Sequence, residues 1–194
     1  SFGIGAGFSL HPLKNLHVHG DGGVVTTNNQ ELYAKLIKYR NHGLINRDEC
    51  EFWGINSRMD AVHAGIGNIK LKYIDKWNNR YREIAQMYTK SLNGYVNVPI
   101  LKEYEEPVFH RFVIHHPDRE GLQGFLADND IETKVNYPIP LHLQPAAKDL
   151  GYKKGDYPVT EELADTILSL PLYPELRDDQ VYYVIEKITQ FCKN

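Results

Sequence analysis

The feature that most constrains this fold is one amphipathic stretch, residues 74–93. Trp77, Tyr81, Ile84, Tyr88 and Leu92 recur every three or four positions. That spacing lines one face of an α-helix. The other face carries Lys76, Arg80, Arg82 and Glu83, and Asn93-Gly94 supplies a stop. A long helix set before a change of pattern predicts a bridge between two domains. The 194 residues suit one large domain or two small ones. The division expected is residues 1–74 as a cofactor-bearing part and 75–194 as the bridging helix with a small C-terminal domain.

Ahead of the helix, residues 3–10 read as a tight turn entering a short strand. Their glycines follow G-x-G-x-G rather than G-x-G-x-x-G, and Pro12 interrupts any helix behind them, so a dinucleotide fingerprint is rejected. Residues 23–27 read as a second, β-branched strand between glycines. Asn28 is the expected cap of a helix bearing Leu32, Leu36 and Tyr39, with Glu31 as its capping-box partner and Gly43 as the stop. Residues 44–56 form a loop. Ser57, paired with Asp60, is the expected cap of the next helix. Gly65 and Gly67 in that helix would each cost about 1 kcal/mol relative to alanine if exposed, so close packing against it is expected.

Beyond the bridge the pattern becomes α+β. Residues 108–115 and 131–136 read as strands, and Asp118 opens a helix through Leu122, Phe125 and Leu126. Short helices are expected near 145–150 and 160–168, an extended segment at SLPLYPEL, and a final helix over 178–192.

Composition excludes several classes. Hydrophobic residues make up 42% and charged residues 24%, which is a globular balance. The net charge of −3 offers no general basic field, so nucleic acid is not an expected partner. No stretch approaches the roughly 18 apolar residues of a membrane helix, and there is no signal-peptide pattern. Cys50 and Cys192 form no framework, which fits a reducing cytoplasm.

The candidate chemistry centres on Lys14. Leu10, Pro12, Leu13 and Leu16 surround it in a run with almost no other charge. Desolvation by such neighbours lowers a lysine pKa and makes the amine a usable nucleophile. An amine of this kind forms Schiff bases with aldehydes, pyridoxal phosphate included. His17 and His19, two apart on an expected strand, would point the same way, but no third ligand accompanies them and no metal site is expected.

Ser9-Leu10-His11-Pro12-Leu13-Lys14-Asn15-Leu16, followed by Gly20-Asp21-Gly22-Gly23, resembles the lysine segment of the sugar-nucleotide aminotransferases of the DegT/DnrJ/StrS type. Further landmarks follow in order. They are Arg40-Asn41-His42-Gly43, Gly54-Ile55-Asn56-Ser57-Arg58-Met59-Asp60, Asp75-Lys76-Trp77-Asn78, His110-Arg111-Phe112-Val113-Ile114, the run from Tyr137 to Pro145, and Leu168-Ser169-Leu170-Pro171.

The resemblance implies an α/β chain of pyridoxal-phosphate transferase fold type I, comprising the trailing part of the large α/β domain plus the small α+β C-terminal domain. It implies that Lys14 forms the Schiff base and shuttles the proton, and that Ser9 donates to the cofactor phosphate. Asn56 would reach the phosphate of the neighbouring subunit's cofactor in a homodimer with shared sites. Tyr137, His142 and Gln144 would contact or border the substrate, a nucleotide-linked keto sugar, with glutamate as the amino donor.

Departures accompany the resemblance. Leu13 stands where the family often has a small residue or threonine, and His17 and His19 stand where small or apolar residues are usual. Lys14 argues against the dehydratase branch, which has histidine there. The aspartate that pairs the cofactor's ring nitrogen, the stacking aromatic and the first phosphate turn all precede this segment in the family. The chain is therefore expected to be a C-terminal fragment, inactive alone, with uncovered sheet edges and apolar faces. A non-catalytic binding or regulatory relative, and an aminotransferase for a non-sugar substrate, are the alternative readings.

Overall fold

In the computed structural model, which describes residues 3–193, the first glycine-flanked segments are strands β1 (Ala6–Ser9) and β2 (Gly23–Thr26). They pair antiparallel with Ala6 opposite Thr26 and Ser9 opposite Gly23. Helix α1 follows over Gln30–Tyr39. Its cap is Asn29, not Asn28, and Asn29 Oδ1 accepts from the Leu32 N–H at 2.7 Å. Thr27 causes the shift. Its Oγ1 accepts from the Asn29 N–H at 3.0 Å while its hydroxyl donates to the Ile4 carbonyl at 2.5 Å, which fixes the chain one residue later.

Helix α2 spans Ala61–Lys70, with Asp60 at its N-cap position. Ser57 does not cap it. The Ser57 N–H donates to the Arg40 carbonyl at 2.9 Å and Asn56 bridges Asn41, so residues 56–58 are held extended and the helix starts later. A 3-10 turn over Leu71–Tyr73 leads into helix α3, Ile74–Leu92. The described chain divides into two compact units after Asp75, so all of α3 except its first two residues lies in the second.

In the second unit, strand β3 (Phe112–His115) is followed by helix α4 (Arg119–Ala127), helix α5 (Pro158–Thr166), strand β4 (Ile167–Leu170) and helix α6 (Asp178–Lys193). Asp118 caps α4, accepting from the Gly121 N–H at 2.9 Å. β3 and β4 are antiparallel, with Phe112 opposite Leu170 and His115 opposite Ile167. The segment 131–136 is not a strand, since only Lys134 forms a rung, on Ser169.

The core of this unit gathers Ile84, Tyr88 and Leu92 of α3, Phe112 and Ile114 of β3, Leu122 and Leu126 of α4, Leu168 of β4, and Val181 and Ile188 of α6. These are the apolar faces that helical and strand periodicity mark out. Burial pushes the Tyr88 phenol pKa up, and its hydroxyl is satisfied by the Pro171 carbonyl at 2.9 Å. Arg80 ties α3 to the start of α6 through the Leu176 carbonyl and Asp178.

The first unit is built differently. Neither α1 nor α2 has a buried residue. Val24, Val25, Ile37, Val62 and Ile69 are exposed, and Trp53 is 93% exposed.

Candidate functional site

Residues 10–22 form a loop closed at its neck by the β1–β2 pair. The Leu10 N–H donates to the Gly22 carbonyl at 2.9 Å, and the Val18 N–H donates to the Leu10 carbonyl at 3.2 Å. Leu10 and Val18 are buried, and a Cβ on Gly22 would stand 2.9 Å from both Val18 and the Met59 sulfur. The glycine turn is therefore a close approach of backbone to core side chains.

Within the loop the Lys14 N–H donates to the His11 carbonyl at 2.9 Å, the Leu13 N–H to His11 Nδ1 at 3.2 Å and the His11 N–H to Ser9 Oγ at 3.3 Å. Lys14 is half-buried and forms no ion pair among the described residues. Ser9 is exposed. Its oxygen accepts from His11 while its O–H stays available to donate.

Helix α2 lies along this loop. Gly67 faces Val18, where a Cβ would come to 3.1 Å, so the small residue there does serve close packing; Gly65 faces open space. Lys70 Nζ is 2.9 Å from His17 Nε2. Residues 17–19 are not a strand. His19 has φ +63°, and this brings its ring centroid within 5.1 Å of that of His17. No group of three metal-ligating side chains occurs among the described residues.

Asn56 sits elsewhere in the first unit, where residues 54–57 cross the end of α1. The Ile55 N–H donates to the Tyr39 carbonyl at 2.8 Å and the His42 N–H to the Ile55 carbonyl at 3.0 Å. Arg58 Nε donates to Asn56 Oδ1 at 3.1 Å, and Arg58 Nη1 to Asn41 Oδ1 at 3.0 Å. The reading of site residues from sequence did not include Asn41 or Arg58. The available signal was the i, i+2 spacing of Asn56 and Arg58 in an extended stretch, which places them on one face.

Tyr137, His142 and Gln144 share one loop of the second unit. Tyr137 points outward, 74% exposed. The Gln144 amide donates to the Ile139 carbonyl at 3.3 Å. The His142 side chain is only 8% exposed and turns to Glu161, with Nε2 2.9 Å from Oε1. Glu161, in the first turn of α5, also accepts from the N–H groups of Gly155 at 2.8 Å and Tyr157 at 3.4 Å, and the Tyr157 ring meets His142 edge-on. Glu161 was also missed, because the contact joins residues 19 apart through an irregular segment.

The hydrogen bond from His142, aided by the two backbone N–H groups, holds the Glu161 carboxyl below its ordinary pKa. A depressed carboxyl stabilises the fold above its unfolded pKa, and that contribution is lost as pH falls through the folded value. Amide exchange, corrected for intrinsic rate, is expected to show residues 140–157 losing protection on acidification before β3 and β4 do. Simultaneous loss in both regions would refute a local latch.

A groove of about 790 Å³ in the same unit is lined by Arg82, Gln86, Lys90, Ile100, Glu106 and Phe109, among others. None of the six site residues named from sequence lines it.

Taken one by one, the three residues named from sequence in the first unit offer distinct polar groups. Ser9 offers a hydroxyl donor, Asn56 an outward amide, and Lys14 an amine with no carboxylate partner among the described residues. These are the groups a phosphate and a Schiff base require.

Comparison with known proteins gives a consistent result. The chain is 40% identical over 196 residues to a Geobacillus stearothermophilus protein named "Pleiotropic regulatory protein", covering 99% of this chain and 53% of the relative. It is 38% identical to the dTDP-3-amino-3,6-dideoxy-alpha-D-galactopyranose transaminase of Aneurinibacillus thermoaerophilus, covering 98% and 52%. Among solved structures, S. venezuelae DesV in complex with a ketimine intermediate superposes with a TM-score of 0.95 at 34% identity, covering 99% of this chain and 53% of that one. The chain thus spans about half the length of the curated relatives it matches, and its fold is that of the corresponding part of DesV. The model of the DegT/DnrJ/EryC1/StrS aminotransferase family matches residues 1–189, and the chain belongs to that family.

Proposed function

We propose that this chain carries the lysine-bearing part of a pyridoxal-phosphate-dependent aminotransferase. Its substrate is a keto sugar linked to a nucleotide, its amino donor is glutamate, and it works as a cytoplasmic homodimer. The observation that carries the reading is the pinned loop 10–22. It holds Lys14 half-buried and without a carboxylate partner among the described residues, five positions after an exposed serine hydroxyl. The sugar-nucleotide substrate of the Aneurinibacillus relative supports the substrate class.

When bound, pyridoxal phosphate supplies an electrophilic aldehyde carbon and a ring that takes up electron density. The chain's own residues do the rest. Lys14 Nζ must shed a proton to act as a nucleophile. With the cofactor bound, Lys14 Nζ would be the group placed to take a proton from the donor's α carbon and to return one. Positioned proton transfer of this kind contributes about 10²–10⁴-fold. The Ser9 hydroxyl and the Asn56 amide orient the phosphate, with Asn56 serving the neighbouring subunit's cofactor. Tyr137 and Gln144 face the substrate, and His142 holds their loop through Glu161. On this reading residues 1–74 belong to the cofactor domain and 75–194 form the bridge and small domain.

The test is chemical. The protein is incubated with pyridoxal phosphate, reduced with borohydride and mapped by mass spectrometry. A hydride-stable adduct on the Lys14 peptide is expected. The second reading, a non-catalytic regulator, is favoured by the name of the 40% identical Geobacillus relative. It expects Lys14 to remain unmodified.

A further inference from the structure

Asn41 and Asn56 stand directly opposite each other in an antiparallel bridge, so their side chains project from the same face. Arg58, two residues beyond Asn56, shares that face. A guanidinium has donors only. Both amides must therefore turn their oxygens toward it, as the contacts of 3.0 Å to Asn41 Oδ1 and 3.1 Å to Asn56 Oδ1 record. Each Nδ2 group is consequently turned away from Arg58. Neither donates to any group among the described residues.

The face thus offers two amide NH2 groups beside one cation, with both amide oxygens already engaged. Such a set reads a ligand that only accepts hydrogen bonds and carries negative charge, as a phosphate does. A carboxylate has the same chemistry but fewer oxygens for two amides and a guanidinium to share.

We infer that Asn41 joins Asn56 in binding the cofactor's phosphate, and that Arg58 is the positioning residue that fixes both amides with their donors outward. The inference rests on the aminotransferase reading for the identity of the phosphate. The pairing of Asn41 with Asn56 and the role of Arg58 are its own content. Arg58 acts here through orientation, so a lysine in its place, with one point of donation in a different geometry, holds the two amides less well.

The test has two parts. In the first, the side-chain NH2 resonances of Asn41 and Asn56 are followed by 15N NMR as inorganic phosphate is added to the chain. Both pairs are expected to shift together, and in Arg58→Met the shifts become unequal or vanish. In the second, pyridoxal phosphate and pyridoxal, which lacks the phosphate, are compared as modifiers of Lys14. Asn41→Leu and Arg58→Met are each expected to lower the preference for the phosphorylated aldehyde about tenfold, the scale of one charge-assisted hydrogen bond. Reactivity toward pyridoxal should stay as in the parent, and Arg58→Lys should restore part of the preference.

Asn41 signals that ignore phosphate overturn the assignment of Asn41, as does a full preference in Asn41→Leu. A full preference in Arg58→Met overturns the positioning role. If neither aldehyde modifies Lys14, the aminotransferase reading fails, and the phosphate titration on the unmodified chain alone decides the amide pair.

Discussion

Gly43→Ala is expected to dismantle the crossing that builds the asparagine face. Gly43 has φ +72° and follows His42 at φ +62°, so the chain leaves α1 through two left-handed residues. The Gly43 N–H closes the helix end on the Lys38 carbonyl at 2.8 Å. A Cβ here would run into the Phe52 carbonyl, which is backbone and cannot rotate aside. The opposing Gly54 is equally confined, with its Cβ position 2.5 Å from the Tyr39 carbonyl oxygen. Left-handed strain and overpacking together make the expected cost about 3 kcal/mol. The readout is amide exchange at Ile55 and Ser57, whose N–H groups reach the Tyr39 and Arg40 carbonyls. Both should lose protection, and the amide shifts caused by phosphate should disappear with them. Retention of protection at Ile55 would mean that the crossing tolerates a side chain at 43.

Phe112→Ala is expected to cost the second unit about 3–5 kcal/mol, the range for removing a buried phenylalanine. Phe112 is fully buried on β3, with its ring centroid 5.2 Å from that of Tyr88 and 6.2 Å from that of Phe109. It therefore joins the strand pair to α3 and to the segment before β3. A cost of this size is a large share of the stability of a typical domain. Urea unfolding followed by circular dichroism should show a much lower midpoint with little change in slope. Tyr88→Phe keeps the ring and loses only the bond to the Pro171 carbonyl, and should cost nearer 1 kcal/mol. Equal costs for the two variants would indicate that the hydroxyl, not the aromatic packing, secures this corner.

The elements legible in the sequence were those whose signals are local. The stripe from Trp77 to Leu92 marks α3 to within a residue of its observed end at Leu92, and Asp118 announces α4 by its cap. Reading failed where distant segments decide. Ser57 and Asp60 carry a capping pattern, yet pairing with residues 40 and 41 keeps the backbone extended until Asp60. Ile167 and Leu168 fall at the end of the helix expected over 160–168 but open β4, where Leu168 is buried and stands opposite Ile114, while Ser169 and Leu170 belong to the segment read as extended. Residues 131–136 have strand composition, but among the described residues only Lys134 of this segment forms a β-bridge, to Ser169.

The candidate site divides along the same line. Ser9, Lys14 and Asn56 stand out through motif order. The grip of Arg58 on two asparagines and the latch of Glu161 on His142 arise only when segments 17 and 19 residues apart come together.

The uneven distribution of buried surface has a practical consequence. Heat-capacity change and the sharpness of thermal melting follow the apolar area that unfolding exposes. Nearly all of the fully buried apolar side chains belong to residues 76–193, while α1 and α2 contribute none. A melting curve of this molecule therefore reports on the half that lacks Lys14. Selection for a higher melting temperature would enrich changes around Phe112 and Tyr88 and pass over the lysine loop and the asparagine face. Variants of those two places have to be sought through what they bind.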